Sequence, residues 1–217
     1  MNIFLPHLFA TLIKSFVGLI GSVFIGFSFF LLTRRFRWAD QCFSLFFIVF
    51  QTLPLFVLAP LILLCFGFSF WSITIPSMIA LSLPILESLK KGFNRPPKEI
   101  LFLFKLQGAS SLKLFFSVEL PYASSNIFSG LKIAAISSSS AALAGEWIGA
   151  QEGLGVLLHI FRRQYDIFGV ATTLICVFAI TLLLFTLISL LENLFCYEKK
   201  IIKSSKNSSS TPAAKLQ

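Results

Sequence analysis

Long apolar runs separated by short polar segments dominate this chain. Crossing a hydrocarbon core of about 30 Å takes about 20 apolar residues in a helix. Five stretches qualify, at residues 9–32, 43–66, 69–86, 127–148 and 167–191. Lys14 alone interrupts the first. It lies near the end of its span, from which it is expected to snorkel to the interface. The second stretch contains Pro54 and Pro60, the third Pro76 and Pro84. Prolines kink helices and free carbonyls that neighbouring helices must satisfy. These two spans are therefore expected to be bent and packed inside a bundle. The pattern predicts an all-α, polytopic membrane helix bundle of about five transmembrane helices. Segment 153–165 starts apolar, turns basic and is too short to span. It reads as a short interfacial or re-entrant helix. No internal repeat is visible.

Composition sharpens this picture. The chain is 56% hydrophobic and 12% charged, with 27 Phe, whereas soluble domains are about 25% charged. Mean hydropathy is +0.87. A soluble globular enzyme is excluded on these grounds. The net charge of +9 would suggest nucleic acid in a soluble protein. In a membrane protein it is a topology signal instead, because basic residues collect on the cytoplasmic side. Arg34, Arg35 and Arg37 follow the first span. Lys90, Lys91, Arg95, Lys98, Lys105, Lys113 and Lys132 follow the third, and Lys199, Lys200, Lys203, Lys206 and Lys215 follow the fifth. With five spans these fifteen of the eighteen basic residues share one side, leaving Lys14, Arg162 and Arg163 opposite. The expectation is a multi-pass membrane protein with its N-terminus outside and its C-terminus cytoplasmic. Residues 1–202 would form the membrane domain. The Ser- and Lys-rich tail 203–217 has too little apolar surface to fold and reads as disordered.

Other chemistry is sparse. Cys42, Cys65, Cys176 and Cys196 form no CxxC pair and read as packed thiols. His7 and His159 stand alone, so no metal cluster is expected. The N-terminus lacks a basic region followed by a short apolar run and a small-residue cleavage site, so no cleaved signal peptide is expected. HExxH, Gly-x-Ser-x-Gly, paired intramembrane carboxylates and a phosphate-binding loop are all missing. No catalytic residue and no cofactor is therefore assigned.

The segment 87–126 is too long for a simple connector. Pro96-Pro97 should stop the helix leaving the third span. A new helix should begin at Pro97-Lys98-Glu99, with Glu99 at the positive end of its dipole, and end at Gly108. A second short helix is predicted over 110–119, with Leu112, Phe115 and Phe116 on one face and Leu120-Pro121 ending it. Such a helix suits a partner's groove or a bed of lipid headgroups, and physics alone leaves both open.

Gly108, nine residues, Val118, one residue, then Leu120-Pro121 resembles the cytoplasmic loop signature of ABC import permeases, EAA-x3-G-x9-I-x-L-P. The flanking text is similar to the branch importing nitrate, sulfonates, taurine or thiamine precursors. Gln51-Thr52-Leu53-Pro54, Ala59-Pro60-Leu61 and Phe66-Gly67 look like that branch's Pro-rich helix. Gly108-Ala109-Ser110, Gly130-Leu131-Lys132-Ile133-Ala134, Ala144-Gly145-Glu146 and Glu152-Gly153-Leu154-Gly155 follow in register. Two departures stand out. Phe102, Leu103 and Phe104 occupy the Glu-Ala-Ala positions, with Glu99 one turn earlier as a possible substitute. Thr11-Leu12-Ile13-Lys14 also stands almost at the start of the sequence, where family members commonly have a further helix before it. The resemblance implies a five-helix core.

The resemblance further implies an importer's membrane-spanning permease subunit in the bacterial inner membrane, and its partners. These are a separate ATPase on the cytoplasmic loop, an extracytoplasmic solute-binding protein and a second permease chain, with a homodimer favoured. The remaining surface meets membrane lipid, and no nucleic acid is implied. The coupling loop would comprise Gly108, Ala109, Leu112, Phe115, Phe116, Val118, Leu120 and Pro121, although Phe115 and Phe116 could instead pack on the permease's own helices. Ser137, Ser138 and Ser140, with Glu146, Gly153 and Gly155, are candidates for the pathway or gate. The Ser-Ala run reads equally as a close-packing surface or as a polar lining for a small anionic or zwitterionic solute. Glu146 reads as a gating or structural carboxylate, or as a substrate contact. Arg162 and Arg163 would meet an acidic binding protein or simply be solvated. A stand-alone secondary transporter is the alternative, but it commonly shows an inverted repeat and has no use for the long loop.

Overall fold

Glycine, alanine and serine line the faces on which the long helices meet, and this sets the architecture. The computed structural model describes residues 4–36, 38, 40–43, 45, 60, 63–94 and 96–195. Among these residues it is all-α, without strands. The helices are α1 (Phe4–Arg35), α2 (Phe70–Phe93), α3 (Lys98–Leu106), α4 (Ser111–Gly149), α5 (Leu154–Arg163) and α6 (Ile167–Phe195). Four of them, α1, α2, α4 and α6, are long and apolar enough to cross a membrane. The second apolar stretch of the sequence, 43–66, lies largely outside the described residues, as does the tail 203–217.

α1 and α2 run parallel. A Cβ on Gly18 would lie 3.6 Å from Ser77, and one on Gly26 would lie 3.0 Å from both Ile85 and the Ser82 carbonyl. Both helices therefore start at the same end of the bundle. α4 runs antiparallel to α2, with Gly92 against Ala123, Gly130 against Ser88 and Gly145 against Ile73. The buried face of α4 consists largely of small residues, including Ala123, Gly130, Ala134, Ala135, Ser138, Ala142 and Gly145. Hydrocarbon offers no hydrophobic drive for helices to associate, so close backbone approach through small residues carries the packing. α6 presents a narrow inward stripe of Gly169, Thr173, Ile180, Leu184 and Glu192. The rest of its surface is mostly Leu, Phe and Ile, suited to lipid. The core gathers Leu19, Phe30, Leu81, Leu86, Leu89, Leu154 and Leu184 with their neighbours.

Pro76 and Pro84 are accommodated inside α2. Hydroxyls nearby give the backbone extra donors: Thr74 to the Phe70 carbonyl at 2.7 Å, Ser77 to Ile73 at 3.2 Å and Ser82 to Ile79 at 2.7 Å. α5 is short and amphipathic, burying Leu154, Leu157 and Leu158 against the bundle.

Two expectations need correction. Leu120-Pro121 does not end a helix: α4 runs through it for 39 residues, about 58 Å at 1.5 Å per residue. A π turn over Phe115–Glu119 makes this possible. The Leu120 N–H bonds five residues back to Phe115. This wide turn separates the Pro121 ring from the carbonyl that it would otherwise meet. Lys14 does not snorkel: it is 7% exposed and ion-paired inside the bundle.

Candidate functional site

The Gly-Ala-Ser segment is a helix stop followed by a helix start. Gly108 has φ +71°. Its N–H donates to the Lys105 carbonyl at 3.0 Å, and the Ala109 N–H donates to Phe104 at 3.1 Å. These two bonds form a Schellman cap on α3, which needs a left-handed residue where Gly108 stands. Nothing would meet a Cβ there, so the glycine serves backbone conformation and not space. Ser110 then caps α4, accepting from the Lys113 N–H at 3.3 Å. Two helices are thus joined through four residues, at the end of the bundle that carries Arg34, Arg35, Lys90 and Lys91.

Around this turn Leu112 is 72% exposed and Phe116 63%. On α3, Phe102, Leu103 and Leu106 are also exposed, and so is Glu99 in its first turn. Phe115 departs from the predicted exposed face. It turns inward and stacks on Phe93 at 5.5 Å. Val118 is buried and Leu120 and Ala109 are half-buried, whereas Pro121 is exposed. The predicted docking face therefore reduces to Leu112 and Phe116 beside Gly108. The extra residue in the π turn shifts the register of the rest of α4, and a simple helical wheel cannot anticipate that.

A buried polar cluster sits at the opposite end. Glu146, in the last turn of α4, is 1% exposed. Its Oε1 accepts from the Lys14 ammonium at 3.0 Å, and its Oε2 accepts from the Gly155 N–H at 3.0 Å. The Thr11 hydroxyl reaches the same carboxylate at 2.8 Å and accepts from the Leu154 N–H at 2.7 Å. Lys14 also donates to the Glu152 carbonyl at 2.5 Å. Gly153 donates its N–H to His7 Nδ1 at 2.9 Å. The two glycines are explained by this carboxylate. A Cβ on Gly153 would fall 2.1 Å from Glu146 Cδ, and Gly153 has φ +140°; on Gly155 it would fall 2.7 Å from Glu146 Cβ. The Glu-Gly-Leu-Gly segment is thus a backbone cradle that lets α5 begin directly over a buried carboxylate. α1, α4 and α5 are pinned together at this point. Among the described residues no cluster of His, Cys, Asp and Glu could hold a metal.

Over residues 18–195 the chain matches the family described as the binding-protein-dependent transport system inner membrane component. The chain belongs to this family. It is an ABC importer permease, a transport subunit and not an enzyme. It is 30% identical to the formylaminopyrimidine transport permease protein ThiX of Halalkalibacterium halodurans, over 89% of this chain and 77% of that protein. It is 30% identical to the riboflavin transport system permease protein RibX of Chloroflexus aurantiacus, over 73% of this chain and 59% of that one. A probable ABC transporter permease of Haemophilus influenzae is 31% identical over 69% of this chain and 61% of its own length. The chain thus spans about three-fifths of the last two. Among solved structures, an inward-facing MetNI methionine ABC transporter aligns at TM-score 0.74 and 17% identity, covering 89% of this chain and 96% of that one. An amino acid ABC transporter aligns at 0.70 and 20%, covering 88% and 94%. At these identities the structures speak for the fold.

In this permease the serine run divides. Ser138 is fully buried, donating to the Ala135 carbonyl at 2.8 Å, and serves packing. Ser137 and Ser140 point out of the bundle, on the side of α4 that carries Ile133 and Ile136. Lys132 of the Gly-Leu-Lys-Ile-Ala block is ion-paired with the buried Glu192 of α6, and Gly130 of that block admits Ser88. Arg162 lies over the Trp147 ring at 5.6 Å, and Trp147 donates to His159 at 3.1 Å. Sequence reasoning assigned no role to Thr11, His7, Arg34, Glu119 or Glu192. Thr11 and Lys14 did leave a signal, since two polar residues three apart in an apolar run share a helix face.

Proposed function

We propose that this permease forms a solute pathway with a second copy of itself. A separate ABC ATPase docks at the turn around Gly108, and a solute-binding protein delivers cargo at the opposite end. The observation that carries this reading is the Schellman-to-N-cap turn at the basic end. It offers Leu112 and Phe116 on a helix continuous with a membrane span. ATP-driven closure of a partner can bias a two-state bundle only through contacts that differ between the states. A displacement of the turn passes directly into α4, because no flexible linker intervenes between them. The basic end is cytoplasmic, the start of α1 is outside and the C-terminus is inside, as the positive-inside bias favours. The Glu146 cluster then lies at the outer end, where it fixes α1, α4 and α5 as one gate-forming unit.

For the cargo, two relatives bear names specifying formylaminopyrimidine and riboflavin. Both are nitrogen heteroaromatics, and this class is the first to test. An anionic or zwitterionic solute follows as the second class, supported by the outward-facing Ser137 and Ser140.

Co-expression with the cognate ATPase provides the test. Leu112→Asp and Phe116→Asp should abolish co-purification while leaving the amount of permease in the membrane unchanged. Uptake of pyrimidine, flavin and sulfonate probes should then be measured in cells. Undiminished co-purification of both variants would overturn the docking site. Uptake without any ATPase would favour the stand-alone transporter.

A further inference from the structure

The π turn of α4 is tied to α1 as well as to its own helix. Both oxygens of Glu119 accept from Arg34 Nη2 at 2.7 Å. Glu119 is 9% exposed whereas the Arg34 side chain is 45% exposed, so the carboxylate is held inside while the guanidinium reaches it from the solvent side. Arg34 also lies 5.6 Å over the Phe93 ring. Phe93 stacks on Phe115 at 5.5 Å and meets Phe30 at 4.8 Å. The node thus joins α1 (Phe30, Arg34), α2 (Phe93) and the π turn (Phe115, Glu119). A cavity of about 370 Å³ lies beside it, lined by Arg34, Glu119, Lys90 and Asp40. Lys90 and Asp40 are themselves paired at 2.5 Å. The node therefore has open volume on one side and a second ion pair beside it.

We infer that Arg34 and Glu119 are the positioning pair through which movement of the docking turn reaches α1. The inference rests on the docking reading above. Without the pair, movement of Leu112 and Phe116 reaches α1 only through helix packing, the Phe115–Phe93 stack on α2 and, at the far end, the Glu146 cluster. With it, α1 moves together with α4. α1 also carries Thr11 and Lys14, which hold Glu146 at the far end, so the pair completes a route between the two ends along one helix. Glu119 occupies the free position between Val118 and Leu120 of the loop signature, so the signature does not itself predict the contact. The π turn supplies the register that brings Glu119 to Arg34.

Spin-label distances test this without knowledge of the cargo. Labels replace the exposed Phe24 on α1 and Ile175 on α6, with the four native cysteines replaced and labelled chains diluted by unlabelled ones. The reconstituted permease and cognate ATPase are compared with and without ATP and vanadate. The unaltered pair should show a nucleotide-dependent change in the α1–α6 distance. Glu119→Gln should bind and trap the ATPase normally while its shifted fraction falls about tenfold. Arg34→Lys should keep most of the shift, and the exchange Arg34→Glu with Glu119→Arg should recover it. An unchanged shift in Glu119→Gln would overturn the inference. So would loss of ATPase binding in that variant, or failure of both Arg34→Lys and the exchange to keep the shift. Failure of the unaltered permease to bind the ATPase would instead overturn the docking reading, and this inference with it.

Discussion

Removing the charge of Glu146 should expose how much the buried cluster contributes. In Glu146→Gln the side chain keeps its shape, but Lys14, a residue only 7% exposed, loses its counter-ion and keeps only the Glu152 carbonyl at 2.5 Å. Breaking a buried ion pair from one side costs about 3–5 kcal/mol. For a chain of this size that corresponds to a fall in Tm of about 6–20 °C. Thermal unfolding in a single detergent, followed by loss of monodispersity, measures it. The double variant Lys14→Met with Glu146→Gln should recover part of the loss, because no unpaired charge remains. Gly153→Ala supplies an independent route. Its Cβ would stand 2.1 Å from Glu146 Cδ, so it must displace the carboxylate without altering any charge. Stability of Glu146→Gln within about 1 kcal/mol of the unaltered chain would refute the reasoning, since that is the scale of an exposed pair. Normal uptake by Glu146→Ala would remove Glu146 from the gate.

Three further outcomes are expected. Gly108→Val forces a β-branched residue into the left-handed region at a cost of about 1–2 kcal/mol, so it should impair co-purification with the ATPase and uptake. Gly108→Asn should be milder because Asn tolerates that conformation, and equal behaviour of the two variants would sink the backbone argument. Gly130→Val places a Cβ 2.5 Å from Ser88 and 2.9 Å from the Pro84 carbonyl; overpacking should cost about 1–3 kcal/mol in thermal stability, whereas Ser137→Val on the outward face should be near neutral. Lys132→Met removes the ammonium paired with the buried Glu192 and should lower Tm more than Lys113→Met at the exposed α4 terminus, which the same detergent assay checks.

What the sequence reveals differs between the two ends of the bundle, for a physical reason. Span length and the charge bias are properties of composition over about 20 residues, and α1, α2, α4 and α6 have the expected length and apolarity. The Gly108 cap is equally local: a left-handed glycine and a following serine cap announce themselves within four residues. The Glu146 cluster is different. Thr11 and Lys14 are separated from Glu146 by more than 130 positions, and only the antiparallel return of α4 brings them together. Charge alone therefore suggested a snorkelling lysine, since the cheapest fate of a solitary cation in an apolar run is the interface. The same limit hid Arg34 and Glu119, which read as ordinary charges at helix ends until the π turn rotates one toward the other. A proline in the helix signalled a break, and the chain instead widened by one residue. That widening is a cooperative choice: ending the helix at Leu120 would strand its end carbonyls beside the packed α2–α4 interface, whereas one wide turn keeps the backbone bonded, as from Leu120 to Phe115. The turn around Gly108 consequently leads into the long membrane-type helix without a break, and a loop signature read as two short helices and a connector could not have shown that.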